Sequence, residues 1–362
     1  MEITPFTQAL QKKIDELIIR RKGVNLNSLF FDSPLLLAPM SSICEPPFRL
    51  LMEQLGAGGT VSELISCHGI NHGNERTRKM LTIHPGEKNI GLQLFGEDAE
   101  SMAKAAKVAQ ESNPKFIDIN MGCPVKKVVT KGGGSALLKD PVKLGEFFGL
   151  IKKGLEIPLT IKIRTGWDES SINAREVIHI AKSEGVEFVA IHGRTRAQQY
   201  RGEADWKYLE SLNEFSPLPL IGNGDLHTPE TTRKRMKETN CQALMLGRGP
   251  LRNPFLFLEA YDDENEFSFT PRDYYEVIEK LFEYTQSYAE MERTLVIQMR
   301  KFIVWMMSGF DGVAKFRGEV FKTPSVQATL KLTRQYLYSL EDSGKINKSI
   351  DYSKPFMTSG HG

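Results

Sequence analysis

The chain reads as an α/β protein: a parallel (β/α)8 TIM barrel followed by a C-terminal all-helical domain. Three patterns predict this. Eight short apolar runs recur before residue 250, and most are continuous rather than alternating, as parallel strands covered on both faces require. Segments of helical length and period separate them. Beyond Gly249 the strand pattern stops, and apolar residues keep helical spacing at Val277, Leu281, Tyr284 and Tyr288.

The eight runs are Pro34–Met40, Gly59–Leu64, Ile90–Phe95, Phe116–Gly122, Leu159–Arg164, Phe188–Arg194, Leu218–Asp225 and Ala243–Gly249. Between them, Asp98–Ser112, Pro141–Gly154, Ser171–Gly185 and Pro229–Thr239 carry helical patterns. Eight such units over about 220 residues match the usual size of this barrel. A doubly wound sheet would carry a glycine-rich dinucleotide turn after its first strand, where this chain has Ala38-Pro39-Met40. Gly56-Ala57-Gly58-Gly59 precedes a strand, and Lys131-Gly132-Gly133-Gly134-Ser135 lacks a Gly-Lys-Ser/Thr ending, so neither is a nucleotide loop. The expected organisation is an N-terminal extension over 1–32, a barrel over 33–260, a helical domain over 271–342 and a loose polar tail over 343–362.

Composition narrows the function classes. No apolar run approaches the roughly 20 residues of a membrane span. The N-terminus is too polar for a signal peptide. Four scattered cysteines without a C-x-x-C pair fit a reducing cytoplasm better than a disulfide framework. No His, Asp and Glu cluster has metal-ligand spacing, so no metal is expected. The net charge is only +2, but Val296 to Lys354 holds ten Lys/Arg against five Asp/Glu. That excess suits an RNA backbone, and equally a solvated helical surface.

In such a barrel, reactive groups gather at the C-terminal ends of the strands. There this chain places Pro39, Met40 and Ser41, then Gln93, then Asn120 and Cys123, then Lys162 and Arg164. His192, Arg194 and Arg196 follow, then Gly222-Asn223-Gly224-Asp225 and Gly247-Arg248-Gly249. The last two are glycine-rich turns that let backbone N–H groups approach an anion, and Arg248 adds a charged donor. Lys162 falls inside a buried strand, where a lone ammonium is costly. Its partner is either a carboxylate such as Asp118 or an isoalloxazine ring that becomes anionic on reduction. Taken alone, His192 is a core histidine, and Gln93 and Asn120 are ordinary amides. Together they describe a phosphate-bearing cofactor with a polar ring, for which FMN is the natural candidate. Cys123 beside it is an acid or a nucleophile.

At this point the ordered motifs resemble the tRNA-dihydrouridine synthases, most closely the bacterial DusB type. They are Leu37-Ala38-Pro39-Met40 with Pro47-Phe48-Arg49, Asp118-Ile119-Asn120-Met121-Gly122-Cys123-Pro124, and Gly133-Gly134-Ser135-Ala136-Leu137-Leu138. Lys162-Ile163-Arg164-Thr165-Gly166-Trp167-Asp168, His192-Gly193-Arg194-Thr195-Arg196, Tyr200-Arg201-Gly202, Ala204-Asp205-Trp206 and the two glycine turns complete the set. The resemblance implies an FMN enzyme, reduced by NADPH or NADH, that reduces the C5–C6 bond of a D-loop uridine in tRNA, position 17 for this type. It implies hydride transfer to C6 and a proton from Cys123 to C5. It implies FMN contacts from Pro39, Met40, Ser41, Gln93, Lys162, His192, Asn223, Gly224, Asp225, Gly247 and Arg248. Asn120 would hold the uracil edge, with Arg194 and Arg196 at the target nucleotide. Arg300, Lys301, Lys315 and Arg317 would grip the tRNA backbone. A monomer is the default expectation.

The chain departs from that pattern at Ser41-Ser42-Ile43-Cys44-Glu45-Pro46, where relatives have a Gly and a Thr-Asp pair. This leaves Cys44 near the site without a role. The runner-up is an FMN barrel acting on a small pyrimidine, like dihydroorotate dehydrogenase. Such enzymes follow the strand-4 Pro with Asn, where this chain has Val125. A catalytically silent tRNA-binding protein is the third reading, and the retention of Cys123, Lys162 and the phosphate turns counts against it.

Overall fold

The computed structural model describes residues 5–352 and 356. Ten strands form in chain order: β1 (Val24–Leu26), β2 (Leu29–Phe31), β3 (Leu35–Leu37), β4 (Gly59–Ser66), β5 (Ile90–Phe95), β6 (Phe116–Met121), β7 (Leu159–Arg164), β8 (Val189–His192), β9 (Leu220–Asn223) and β10 (Ala243–Leu246). The last eight close into a parallel barrel in the order β10-β3-β4-β5-β6-β7-β8-β9. The eight expected strands are all present. They are shorter than the apolar runs because several runs continue into the βα loops that build the site.

Inward residues alternate along each strand. The register makes Gln93 the partner of Asp118, and Asn120 the partner of Lys162. It aligns Arg164 with His192, and His192 with Asn223. Polar side chains therefore form the upper layer of the barrel. At the lower end Phe116 and Phe188 face the interior, and the antiparallel β1–β2 hairpin closes it. Phe31 from that hairpin meets both rings edge-on, at 6.1 and 6.3 Å between centroids. Such T-shaped pairs favour the aromatic quadrupoles and seal the floor.

Four helices follow the barrel: Pro271–Tyr288, Glu292–Met306, Val313–Val320 and Val326–Asp342. Thr270 and Asp273 form a reciprocal capping box at the first, with Pro271 opening the helix. The helical segment docks on Pro46–Gln54, where Phe48 stacks on Phe302 at 5.0 Å and Tyr284 Oη donates to Gln54 Oε1 at 2.8 Å. Within that contact Arg49 is buried. It pairs with Glu87 through Nε–Oε1 at 2.6 Å and Nη2–Oε2 at 3.0 Å, and also donates to the carbonyls of Cys44 and Thr82.

The N-terminal extension ties the barrel exit to the helices. Its helix Gln8–Ile19 is capped by Thr7, which also bonds Glu276, and Lys13 pairs with Asp273 at 2.7 Å. The tail expected to be loose is packed in part. Lys348 is half-buried, its Nζ donating to Arg252 O and Met306 O, and Ser349 N donates to Gly309 O at 2.8 Å. The rest of that expectation falls on residues 353–355 and 357–362, outside the described residues. Among the described residues no helix is long and apolar enough to cross a membrane.

Candidate active site

The upper barrel layer opens into a cavity of about 450 Å³. The loop after β6 carries Cys123 to its wall. Asn120, at the end of the strand, accepts from Cys123 N through Oδ1 at 3.0 Å, which folds the loop back over the strand. Ser135 fixes the other side, donating its N–H and hydroxyl to Cys123 O at 3.2 and 2.9 Å. Gly134 makes this close approach possible. Its φ is +59°, and a Cβ there would lie 2.9 Å from Cys123 O. The Gly133-Gly134-Ser135 motif is thus a buttress for the thiol. Burial pushes the Cys123 thiol up from its ordinary value, so it is protonated at neutral pH.

Across the cavity, Lys162 Nζ donates to Asn223 Oδ1 at 2.9 Å. Lys162 makes no salt bridge among the described residues, so the expected alternative of a pair with Asp118 does not form. Asp118 is occupied instead by Gln93 Nε2 and Thr160 Oγ1, each at 2.7 Å, and burial pushes it up to about 6. Burial, followed by repulsion from Arg164, pulls Lys162 down to about 8. It remains a largely charged ammonium at neutral pH that lines the cavity without a salt bridge among the described residues, with only the through-space charge of Asp118 favouring it. Asn223 is held in turn by donating Nδ2 to Met245 O at 2.6 Å. Burial, then the charges of Arg164 and Lys162, hold His192 well below its ordinary value, so it is a neutral imidazole.

The β9 and β10 turns bring Gly224, Asp225, Gly247 and Arg248 to the same cavity. Gly224 has φ +129°, and a Cβ there would meet Ala204 Cβ at 2.6 Å. Asp225 is gripped by Arg194, Nη2 to Oδ2 at 2.7 Å and Nη1 to Oδ1 at 2.9 Å, which holds its carboxyl below the ordinary range despite burial. The residue set fits a flavin: a cation without a salt bridge among the described residues, two glycine turns with an arginine, and a protonated thiol share one cavity.

Twelve of the sequence-predicted barrel residues line this cavity. Pro39, Met40, Ser41, Asn120, Cys123 and Lys162 do, as do His192, Asn223, Gly224, Asp225, Gly247 and Arg248. Three do not. Gln93 is fully buried beneath the wall, its amide spent on Asp118 and Asn120, so its place is to orient Asn120. Arg194 was expected at the nucleotide, but it is 2% exposed, and its guanidinium is spent on Asp225, Gly202 O and Arg201 O. The charge of Asp225 and the carbonyls draw it inward, and it positions Asp225 instead. Arg196 stands outside the cavity with its guanidinium 4.2 Å from the Trp167 ring centre, and Lys139 Nζ lies 3.8 Å from the same ring.

The helical cations divide. Lys315 and Arg317 are exposed. Arg300 turns inward to Thr323, and Lys301 donates to Ser42 O beside Glu45 and Glu63. Lys301 therefore braces the Ser41–Glu45 loop that departs from the expected motif. Cys44 in that loop faces the core, donates to Ala38 O at 3.2 Å and is pushed up to about 12 by burial. It is an inert thiol, not a second reactive one.

Arg164 and Tyr200 are among the cavity residues with no role assigned from sequence. Arg164 lies two positions after Lys162 and so shares its inward face, a period-2 signal that was present. Its Nε donates to Gly122 O at 2.8 Å, and Nη1 donates to Thr195 O and Gln199 O. Tyr200 comes from an irregular loop and gave no such signal. Its ring faces Arg248 at 4.8 Å and Arg164 at 5.7 Å. Among the described residues no group of three His, Cys, Asp or Glu side chains is arranged to hold a metal.

Residues 36–340 match the model of the family described as dihydrouridine synthase (Dus). The chain is 34% identical over 316 residues to tRNA-dihydrouridine synthase B of Pseudomonas aeruginosa, covering 86% of this chain and 94% of that one. It is 34% identical to tRNA-dihydrouridine synthase B of Pasteurella multocida, covering 81% and 90%. It is 31% identical to a probable tRNA-dihydrouridine synthase of Rickettsia conorii, covering 90% and 99%. In structure it is similar to 6-hydroxypseudooxynicotine amine oxidase of Pseudomonas geniculata (TM-score 0.52, 12% identity, 74% of this chain and 53% of that one). It is equally similar to histamine dehydrogenase of a Rhizobium species (TM-score 0.52, 12% identity, 74% and 51%). At that identity the likeness is one of barrel fold alone.

Proposed function

The chain belongs to the dihydrouridine synthase family, and we propose that it uses FMN, reduced by NADPH or NADH, to reduce the C5–C6 bond of a D-loop uridine in tRNA, position 17 foremost. The observation that carries this reading is the meeting of Cys123, Asn120 and Lys162, whose hydrogen bond runs to an amide rather than a carboxylate, in one cavity with two glycine turns. When bound, the flavin supplies hydride from N5 to C6 of the uracil. The other roles belong to this chain's own side chains.

Cys123 gives its proton to C5. A buried thiol that holds its proton until the carbon becomes basic is a fitting general acid. Asn120 orients the uracil edge, and its amide is kept in place by Gln93. Lys162 offers its ammonium to the developing negative charge of the ring, and neutral His192 offers a hydrogen bond without a second charge. Gly224, Gly247 and Arg248 take the phosphate, while Pro39, Met40, Ser41, Asn223 and Asp225 shape the rest of the cradle.

The target base must leave its stack to reach this depth. The helical residues 271–342 clamp the tRNA backbone through Lys315 and Arg317, and Arg196 stands at the rim for the nucleotide's phosphates. The protein acts as a monomer in the cytoplasm without a metal. The small-pyrimidine alternative is set aside, because the family match runs through the helical segment as well as the barrel.

Incubation of unmodified tRNA with the protein, FMN and NADPH, followed by nucleoside analysis, tests the reading. Dihydrouridine should form with wild type and fall by about 10²–10⁴-fold in Cys123→Ala, the usual span of general-acid catalysis, while NADPH oxidation persists. No product with wild type would remove the function. Undiminished product with Cys123→Ala would remove the thiol from it.

A further inference from the structure

The polar segment after Ser343 lies beyond the family match, which ends at residue 340. Its described residues are nonetheless built against the barrel mouth. Lys348 Nζ donates to Arg252 O at 2.6 Å and Met306 O at 2.7 Å, which anchors the segment between barrel and helices. Tyr352 stacks on His227 with centroids 5.9 Å apart and planes 13° from parallel. The Phe356 ring lies 4.0 Å from the Arg252 guanidinium, and its carbonyl accepts from Arg248 Nη1 at 3.0 Å.

Tyr352 and Phe356 thereby roof a second cavity, of about 590 Å³. It shares Tyr200, Asp225, His227 and Arg248 with the flavin cavity. Its far wall carries Arg235 and Arg252, whose Nε atoms are both buried without a hydrogen-bond partner. Arg252 is 8% exposed. The carboxylates nearby are Glu203; Glu238, which Arg235 Nη1 meets at 3.4 Å; Asp225, which Arg194 engages and Arg248 Nη2 approaches at 3.6 Å; and Asp351, whose charge reaches Arg252. Unsatisfied guanidinium donors under an aromatic roof suit a phosphate-class anion.

We propose that the C-terminal segment is a strap completing the anion end of the cofactor site, with Tyr352 and Phe356 as the outer wall against which Arg248 and Arg252 hold the flavin phosphate. This rests on the flavin reading above. The strap excludes water from the two guanidiniums, and charge attraction is stronger where water is excluded. The Phe356 carbonyl at Nη1 and Asp225 near Nη2 orient Arg248, and the rest of its five N–H donors remain for the phosphate.

The test compares FMN with riboflavin, which has the same ring and no phosphate. Full-length protein and a Tyr352→Ala/Phe356→Ala variant are reconstituted with each flavin. Dissociation on dilution is followed by recovery of flavin fluorescence. A chain ending at Ser343 is the second variant. FMN affinity should fall about tenfold in both variants, with riboflavin changed by less than about twofold. Unchanged FMN affinity in the double variant overturns the strap. Equal losses for both flavins also overturn it, since they mark general loosening rather than action at the phosphate. Failure of the wild-type protein to bind either flavin overturns the flavin reading itself, and the strap with it.

Discussion

Lys162→Met should make the flavin-stripped protein more stable at neutral pH and less stable in alkali. Lys162 is 9% exposed, and its one hydrogen bond runs to Asn223 Oδ1 at 2.9 Å. Burial lowers it from 10.5 to about 8, so the folded protein binds this proton less tightly than the unfolded chain. Below pH 8 both states are protonated, and holding the charge costs the fold about 3 kcal/mol, at 1.36 kcal/mol per unit. Between pH 8 and 10.5 the unfolded chain binds the extra proton, so wild-type stability rises with pH. By pH 10 about 2 kcal/mol of the penalty is gone. Methionine fills similar volume and carries no charge, but leaves Asn223 Oδ1 without its donor, at about 1–3 kcal/mol. The variant should therefore be about 1 kcal/mol more stable at pH 7 and about 1 kcal/mol less stable at pH 10. Urea unfolding of both proteins at pH 7, 8, 9 and 10 measures the difference, in which the titrations of groups not coupled to Lys162 cancel. A difference that stays flat across that range would refute the argument, because it would mean that Lys162 has a counter-ion and its charge costs nothing.

Further outcomes follow from the same geometry. In the flavin-loaded protein Lys162→Met should lower the flavin midpoint potential, by about 30 mV for each 1.4 kcal/mol of lost attraction to the reduced ring; an unmoved potential would place the ammonium elsewhere. Gly134→Ala forces a side chain into φ +59° and against Cys123 O, costing about 1–2 kcal/mol of stability. Dihydrouridine formation should then fall more than NADPH oxidation, and equal losses would deny the buttress. Lys315→Glu/Arg317→Glu should weaken tRNA binding and flatten its dependence on salt, whereas Lys301→Met should leave the salt slope unchanged. Filter binding across a salt series separates these, and a steeper loss with Lys301→Met would return that residue to the RNA face.

Several site residues could be read from one dimension because strand periodicity is simple. Lys162 and Arg164 alternate onto one face, as do Asp118 and Asn120, and each strand ends where reactive groups belong. The glycine turns were equally plain, since Gly224 and Gly247 stand beside charged residues. What could not be read was the destination of long, flexible cations. Arg194 at a strand end and Arg300 and Lys301 in the helical segment are all basic residues expected at the RNA, and each turns to carbonyls or a carboxylate that another segment supplies. Gln93 likewise carries the right chemistry one layer too deep. The tail differs from its expectation only in part, for a related reason: a polar, Gly- and Pro-containing stretch predicts looseness, but half-buried Lys348 finds two carbonyls from separate helices.

By itself the sequence determined the barrel, its strand order and the thiol at the end of β6, because hydrophobic period and motif order are local properties. Only the tertiary structure decided which charges are available. Asp118 is satisfied by an amide and a hydroxyl, so Lys162 turns to the Asn223 amide oxygen and makes no salt bridge among the described residues. Asp225 binds Arg194 through both oxygens and Arg248 only at 3.6 Å, so Arg248 keeps donors for the anion. Those outcomes depend on pairing between strands and loops far apart in the chain, where burial makes each hydrogen bond costly to leave unmade and thereby fixes who pairs with whom.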